Sequence, residues 1–264
     1  MDDVARPWPA AFVLDWLDMH QLDGPPASAM TLITFRGVSR PVALDDEDTL
    51  LPILRSVFRY WPHRVVADGT PDEPVIAVRP GEKGGYRLAA PWLEKSARYT
   101  NAVNLACGLG VHVNQAFLAG PEDRLCLHSA AASIGGRLVV FPNAYRAGKS
   151  LLTVCLAAAG ARIFCDDILP VAHDTGLGFA LGITPRLRLP LPTNLSRRTI
   201  DFIEARRGAE NRQYLYVDLE ASEQAPFGET APLGGIVLLN RREGESARLE
   251  RIGVGEALKY VVLR

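Results

Sequence analysis

The stretch Arg137–Pro170, RLVVFPNAYRAGKSLLTVCLAAAGARIFCDDILP, constrains this chain more than any other. Its pattern predicts a short apolar strand over Arg137–Phe141, a loop over Asn143–Ser150, and a buried helix over Leu151–Ala159 that is apolar almost all round. Gly160 predicts a helix stop, because glycine adopts the left-handed backbone that closes a helix C-terminus at no steric cost. A second strand, Ile163–Cys165, then runs into Asp166-Asp167. A strand, a turn into a buried helix and a strand ending in carboxylates is the order that nucleotide chemistry needs.

The loop N-A-Y-R-A-G-K-S reads as a phosphate loop with one departure. Such a loop turns backbone N–H groups inward around phosphate and points a helix N-terminus at it. A lysine reaches the β- and γ-phosphates, and a hydroxyl holds Mg²⁺. Lys149 and Ser150 supply the last two, and Gly148 permits close approach of the backbone. The pattern G-x-x-x-x-G-K-[ST] asks for glycine where Asn143 stands; asparagine is among the few residues that tolerate a positive φ. Arg146 is placed to contact phosphate, and Tyr145 to shield the loop or stack. The nucleotide-contacting residues expected are therefore Asn143, Ala144, Tyr145, Arg146, Ala147, Gly148, Lys149, Ser150 and Leu151. Of the aspartates, one can help hold Mg²⁺ and one can take a proton from an alcohol. Adjacent residues of a continuing strand face opposite sides, so at most one would face the loop if the strand runs on.

The rest of the chain sets bounds. Its 264 residues suffice for one large or two small domains, and 48% hydrophobic with 22% charged residues is ordinary for a globular protein. A net charge of −1 gives no field that would attract nucleic acid or an anionic membrane. The N-terminal MDDVARPWPAAF lacks the basic and apolar regions of a secretory signal, and no stretch approaches the roughly 20 apolar residues of a membrane span. A cytoplasmic protein is expected. The cysteines, Cys107, Cys126, Cys155 and Cys165, form no C-x-x-C pair and read as buried reduced thiols.

Along the chain, helical spacing appears at Ala11–Met19, broken by Gly24-Pro25-Pro26. A strand follows at Met30–Phe35, then a helix at Asp46–Tyr60 with Leu50, Leu51, Leu54, Val57 and Phe58 on one face and Pro52 in its first turn. Strands are expected at Arg64–Ala67, Pro74–Val78 and Gly85–Ala89, with turns at Asp68-Gly69, Pro80-Gly81 and Gly84-Gly85. Thr100–Leu118 reads as a helix lined by Val103, Ala106, Val113 and Phe117, with His112 a structural histidine. A boundary near Gly120-Pro121 divides an α+β region, 1–119, from a phosphate-loop domain, 120–264. A strand begins at Arg124, with Leu125 and Leu127 alternating against Cys126 and His128, and Ile134-Gly135-Gly136-Arg137 is a hairpin turn. Beyond the aspartates, Ile168–Val171 stays extended, Asp174-Thr175-Gly176 turns, and Gly178–Leu181 pairs back. Thr184–Pro192 is extended with Arg186 and Arg188 on one side. A helix over Leu195–Arg207 starts near Ser196 or Thr193 and stops before Gly208. Strands at Tyr214–Val217, Ala231–Asn240 and Arg248–Ile252 precede a helix over Gly255–Leu263.

The order L-H-S-A-A, G-G-R-L-V-V-F-P-N-A-Y-R-A-G-K-S-L-L-T, A-A-A-G-A-R-I-F-C-D-D-I resembles the HPr kinase/phosphorylase family, closest to its broad group of HPr-kinase-related serine kinases. His128, Gly148, Lys149, Ser150, Gly160, Asp166 and Asp167 fall on the family pattern. The likeness is good over Leu125–Val171, weaker over Gly178–Pro192 and Pro232–Leu239, and poor before residue 120. It implies an α/β class, a mixed-sheet phosphoenolpyruvate-carboxykinase-like P-loop core beside the N-terminal α+β region. The activity it implies is ATP- and Mg²⁺-dependent phosphorylation of a serine on a protein or ribosomally made peptide. Asp166 would be the general base, Asp167 and Ser150 would bind Mg²⁺, Lys149 would hold phosphate, and His128 would sit beside the transferred group. Asn143 replaces the first loop glycine, Leu151 stands where HPr kinases carry glutamate, and the glutamate-containing second signature of those enzymes is not recognisable. The acceptor expected is therefore not HPr. The alternative reading is a degenerate nucleotide- or peptide-binding scaffold of the same fold. Whether the chain forms a homo-oligomer is left open.

Overall fold

A computed structural model describes residues 30–66, 74–81, 84–120, 124–142, 147–240, 246 and 248–262. The expected Ala11–Met19 helix, the Asp68-Gly69 turn and the loop residues Asn143, Ala144, Tyr145 and Arg146 lie outside the described residues. The chain is mixed α/β, mostly strands with a few helices, and divides into two compact units: Met1–Arg55 with Pro62–Glu122, and Ser56–Trp61 with Asp123–Arg264.

The first unit holds β1 (Thr31–Phe35), β2 (Val42–Leu44), most of helix α1 (Glu47–Val57), β3 (His63–Val66), β4 (Ile76–Pro80), β5 (Tyr86–Ala89), β6 (Ala97–Tyr99) and helix α2 (Ala102–Leu118). The strands form one sheet in the order β3-β1-β2-β4-β5-β6, in which only β2 and β4 run parallel. Two short strands, β2 and β6, carry no alternation long enough to read from sequence. Helix α1 begins at Glu47 because Asp46 caps it, its carboxylate accepting from the Thr49 N–H (3.4 Å). Pro52 therefore sits inside the helix and not in its first turn, and the helix ends at Val57, short of Tyr60. Helix α2 is capped by Asn101, whose side chain accepts from the Asn104 N–H (2.9 Å). Its glycine at 108 has a packing reason, since a Cβ there would meet the Tyr99 ring. His112 is buried and accepts from the Trp92 indole N–H (3.0 Å), the structural role expected.

The second unit carries β7 (Arg124–His128), β8 (Ala130–Ile134), β9 (Arg137–Phe141), helix α3 (Lys149–Ala158), β10 (Arg162–Cys165), β11 (Ile168–Ala172), β12 (Leu177–Phe179), β13 (Arg186–Arg188), helix α4 (Arg197–Glu204), β14 (Arg207–Glu210), β15 (Tyr214–Val217), β16 (Thr230–Ile236) and helix α5 (Val254–Val262). Seven strands make one sheet, β10-β8-β9-β16-β12-β11-β7, and three make another, β13-β15-β14. Gly135 and Gly136 both take positive φ (59° and 77°), the two-residue turn that joins β8 to β9 with Ile134 opposite Arg137. Since β8 is antiparallel to both β9 and β10, those two run parallel to each other, and their carboxyl ends emerge at the same edge.

Helix α3 is held by Val154 and Ala157, buried with Ile163 of β10, Ala132 of β8, and Leu187, Leu215 and Val217 of the small sheet. Each such side chain contributes about 1–3 kcal/mol through the apolar area it removes from water. The helix is not buried all round: Leu151, Leu152, Cys155 and Leu156 are partly exposed, because α4 and the small sheet cover only part of its circumference. Its end is as expected. Gly160 takes φ +94°, its N–H donates to Ala157 O (2.9 Å), and the Ala161 N–H donates to Leu156 O (2.9 Å), satisfying the last carbonyls.

Three expectations give way. The helix over Leu195–Arg207 is shorter: Ser196 caps it, it stops at Glu204, and Arg207–Glu210 is β14. Gly208 is no helix stop; it lies in β14, where a Cβ would come within 2.3 Å of the Asp218 carboxylate and 2.7 Å of the Ser56 hydroxyl. Arg248–Ile252 forms no strand, having no partner strand among the described residues. Last, β16 runs Thr230–Ile236 and does not reach Asn240. The cysteines are free, as expected, but only Cys165 is buried, and Cys126 is exposed on the outermost strand, β7.

Candidate functional site

Three breaks in the chain converge. β9 leaves the sheet towards Lys149 and α3. β10 ends at Cys165, whose neighbour across the sheet is Ala131 of β8. β7 ends at His128, and one residue later the chain enters β8, whose Ala130 pairs with Phe141 at the end of β9. Chain connectivity and register alone therefore bring His128, the start of α3 and the two aspartates to one edge.

At that edge β10 does not continue. Asp166 and Asp167 form a bend, because β10 pairs with β8 whereas β11, which follows, pairs with β7 and β12. The rule that only one of two adjacent strand residues can face the loop thus does not apply, and both carboxylates turn inward with different partners. Asp166 Oδ2 accepts from the backbone N–H of Arg186 (3.0 Å), and the nearby Ser150 hydroxyl favours its charged form. Asp167 Oδ1 accepts from His128 Nε2 (2.8 Å) and feels the positive charge of Lys149.

These partners push the two acids apart. Loss of hydration, and then the neighbouring Asp167 charge, raise the Asp166 carboxyl to about 7, against the pull of the Arg186 N–H and the Ser150 hydroxyl. The hydrogen bond from His128 holds Asp167 below its ordinary value against partial loss of hydration, helped by the charges of His128 and Lys149. One carboxyl is thus poised to hold or release a proton near neutrality, and the other stays ionised. Split acids of this kind mark sites of proton transfer. His128 and Asp167 remain about half exposed (side chains 48% and 49%), so water screens the pair and its worth to the fold is about 0.2–1 kcal/mol. Its role is orientation more than stability.

Helix α3 presents its positive end here. Gly148 is the cap residue, with φ +95°, and among the described residues no side chain caps the helix. Lys149 is the first helical residue and is buried, and the Thr153 hydroxyl donates to its carbonyl (2.9 Å). Ser150 follows, partly buried, as is Leu151. Of the expected nucleotide contacts, Ala147, Gly148, Lys149, Ser150 and Leu151 are therefore at the edge with His128, Asp166 and Asp167. Ser150, expected to share a cation with Asp167, lies near Asp166 as well.

Among the described residues no group of three or more His, Cys, Asp or Glu could by itself cage a metal ion. The oxygen donors present, Ser150 and two carboxylates, do suit Mg²⁺, which takes one or two carboxylates and completes its shell with water and substrate phosphate. The sequence marks Arg186 as a basic residue on an extended segment, and it does not mark Tyr216 at all. The Arg186 N–H reaches Asp166 because β13 lies alongside, and Tyr216, opposite Arg186 in β15, is buried and lies within the field of both aspartates. Neither carries a signal in sequence beyond an extended segment with two arginines. Comparison with protein-family models, curated proteins and solved structures finds no match to this chain.

Proposed function

We propose that this protein is an ATP- and Mg²⁺-dependent serine kinase related to HPr kinase, built on a phosphoenolpyruvate-carboxykinase-like P-loop core and acting on a protein or a ribosomally made peptide. The observation that supports it best is the split pair: Asp166 raised to about 7 beside Ser150, and Asp167 held ionised beside His128 and Lys149, all at the N-terminus of α3. The parallel course of β9 and β10, with the loop and helix between them, supports the P-loop reading.

The chemistry follows from the partners. Lys149 and the N-terminus of α3 bind the triphosphate. Asp166, in its ionised form, takes the proton from the serine hydroxyl as its oxygen attacks the γ-phosphorus. His128 orients Asp167, and Asp167 with Ser150 would hold Mg²⁺, which supplies neutralisation of charge on the phosphates. A cytoplasmic location, and no partner among nucleic acids or membranes, belong to the same reading. Among the described residues no helix is long and apolar enough to cross a membrane.

Calorimetric titration of Mg·ATP into the wild type and into Lys149→Ala tests the binding step. Saturable binding that Lys149→Ala weakens is expected, and a wild type that does not bind would sink the proposal. Transfer from γ-labelled ATP that Asp166→Asn abolishes tests the base. Binding without any transfer to serine-bearing peptides would instead favour the second reading, a degenerate scaffold, for which the asparagine at 143 speaks.

A further inference from the structure

The small sheet has two unlike faces. Leu187, Leu215 and Val217 point into the core with α3. On the other face lie Arg186, Arg188, Tyr214 and Tyr216, with Arg186 opposite Tyr216 and Arg188 opposite Tyr214. Both guanidinium groups stand over the one Tyr214 ring, 4.6 Å and 5.6 Å from its centre. Tyr216 is 3% exposed and lies in the field of Arg186, Asp166 and Asp167 together. Arg186 thus meets the Asp166 carboxylate through its backbone N–H while its guanidinium stacks on an aromatic face, with no carboxylate salt bridge among the described residues.

The geometry points to Arg186 as the residue that clamps the phosphoryl group in transfer. We propose that its guanidinium swings from Tyr214 onto the γ-phosphate oxygens when a nucleotide binds. This rests on the kinase reading above. The backbone of Arg186 is fixed by its N–H bond to Asp166 (3.0 Å), and the same carboxylate lies beside Ser150 at the start of α3. A phosphate seated at Lys149 and Ser150 therefore lies one carboxylate away from the base of this long side chain. An arginine held only by stacking on a half-buried ring is free to leave it, and its planar fork matches two phosphate oxygens. In the step itself the serine Oγ–Pγ bond forms as the bond from Pγ to the β,γ-bridging oxygen breaks. The hydroxyl proton passes to Asp166, and the electron pair leaves on ADP. Arg186 donates hydrogen bonds to the oxygens of the moving phosphoryl group, where charge is spread, and is itself unchanged.

The test compares Mg·ADP with Mg·ADP plus aluminium fluoride, a mimic of the phosphoryl group in flight, as calorimetric ligands. Wild type should bind the fluoride complex more tightly than Mg·ADP. Arg186→Ala should cut affinity for the fluoride complex by about 100-fold or more while leaving Mg·ADP within about threefold. Arg186→Lys should restore part of the loss, and Arg188→Ala and Tyr214→Leu should keep the preference, with melting curves verifying that each variant is folded. If Arg186→Ala keeps the preference, or weakens both ligands equally, Arg186 is not the clamp. If wild type binds Mg·ADP but gains nothing from the fluoride, the clamp fails and the nucleotide reading stands. If wild type binds neither, both fail, and Lys149→Ala will likewise change nothing.

Discussion

Asp166→Asn should make the protein more stable, and increasingly so as pH rises. The carboxyl of Asp166 is raised from 3.8 to about 7, chiefly because it has lost water and secondarily because Asp167 stands beside it. In the unfolded chain it ionises near its ordinary value. Between those values the folded state holds the proton longer than the unfolded state, so the wild type loses stability as pH climbs from about 4 to about 7. The difference of about 3 pH units corresponds to about 4 kcal/mol as a ceiling, at about 1.4 kcal/mol per unit. Asparagine has the same shape, and its oxygen can still accept from the Arg186 N–H, but it carries no charge to bury. The variant should therefore match the wild type at pH 4 and exceed it by on the order of 3 kcal/mol at pH 8, or roughly 10 °C in melting temperature for a unit of this size.

Asp167 shifts the other way. Its lowered carboxyl contributes stability that is present above its unfolded value and is lost as pH falls through its folded value. That contribution is common to both proteins and cancels to first order in the difference. The assay is urea unfolding of wild type and variant at half-unit steps from pH 4 to 9, without nucleotide or Mg²⁺. A difference that does not change with pH, or a variant less stable at pH 8, would show that Asp166 is not held at a cost and would remove the physical ground for calling it a base.

His128→Ala should cost the fold no more than about 1 kcal/mol, since the pair is half exposed, yet it should move the onset of acid unfolding to higher pH because Asp167 loses its donor. Circular dichroism along an acid titration reads both. Gly182→Ala should cost roughly 3 kcal/mol or more: its φ is +74°, and a Cβ would stand 2.4 Å from the Tyr60 carbonyl carbon and oxygen, with no flexible side chain to yield. A urea midpoint unchanged from wild type would contradict that packing. Ser129→Ala should be neutral or stabilising by about 1 kcal/mol, because the buried Ser129 hydroxyl has no hydrogen-bond partner among the described residues. A clear loss of stability in the same measurement would mean that the hydroxyl has a bonded partner after all.

The strand, helix and turn succession from Arg124 to Gly178 is legible because each piece is set locally. Gly135-Gly136 can take the positive φ of a tight hairpin, Gly160 can close a helix, and the runs Leu138–Phe141 and Ile163–Cys165 are too apolar to lie outside a core. What escaped the sequence is set by distant neighbours. Helical spacing continues past Glu204, but Arg207–Glu210 finds a ladder with β15, and Gly208 is needed there so that Asp218 and Ser56 can approach. Arg248–Ile252 alternates like a strand but has no partner strand among the described residues, so its pattern has nothing to act on. The residue types at the candidate site were legible. The sorting of their partners was not, since it depends on where the sheet changes neighbours.

That change of neighbours is what makes two adjacent aspartates useful. Had β10 run on into β11 as one strand, Asp166 and Asp167 would face opposite sides, one of them away from α3. The chain instead leaves β8 at Cys165 and joins β7 at Ile168, directly opposite His128. A matching break separates β7 from β8 at Ser129, so the residues on both sides of the site sit at points where a strand has just lost its ladder. A ladder break frees backbone direction, and here it aims one carboxylate at Ser150 and the Arg186 N–H and the other at His128. The separation of their acidities then follows from place alone: the enclosed acid is raised, and the one with a hydrogen-bond donor and a nearby lysine is lowered. A sheet made regular across Ser129 and Asp166 would turn the two carboxylates to opposite faces and lose that separation.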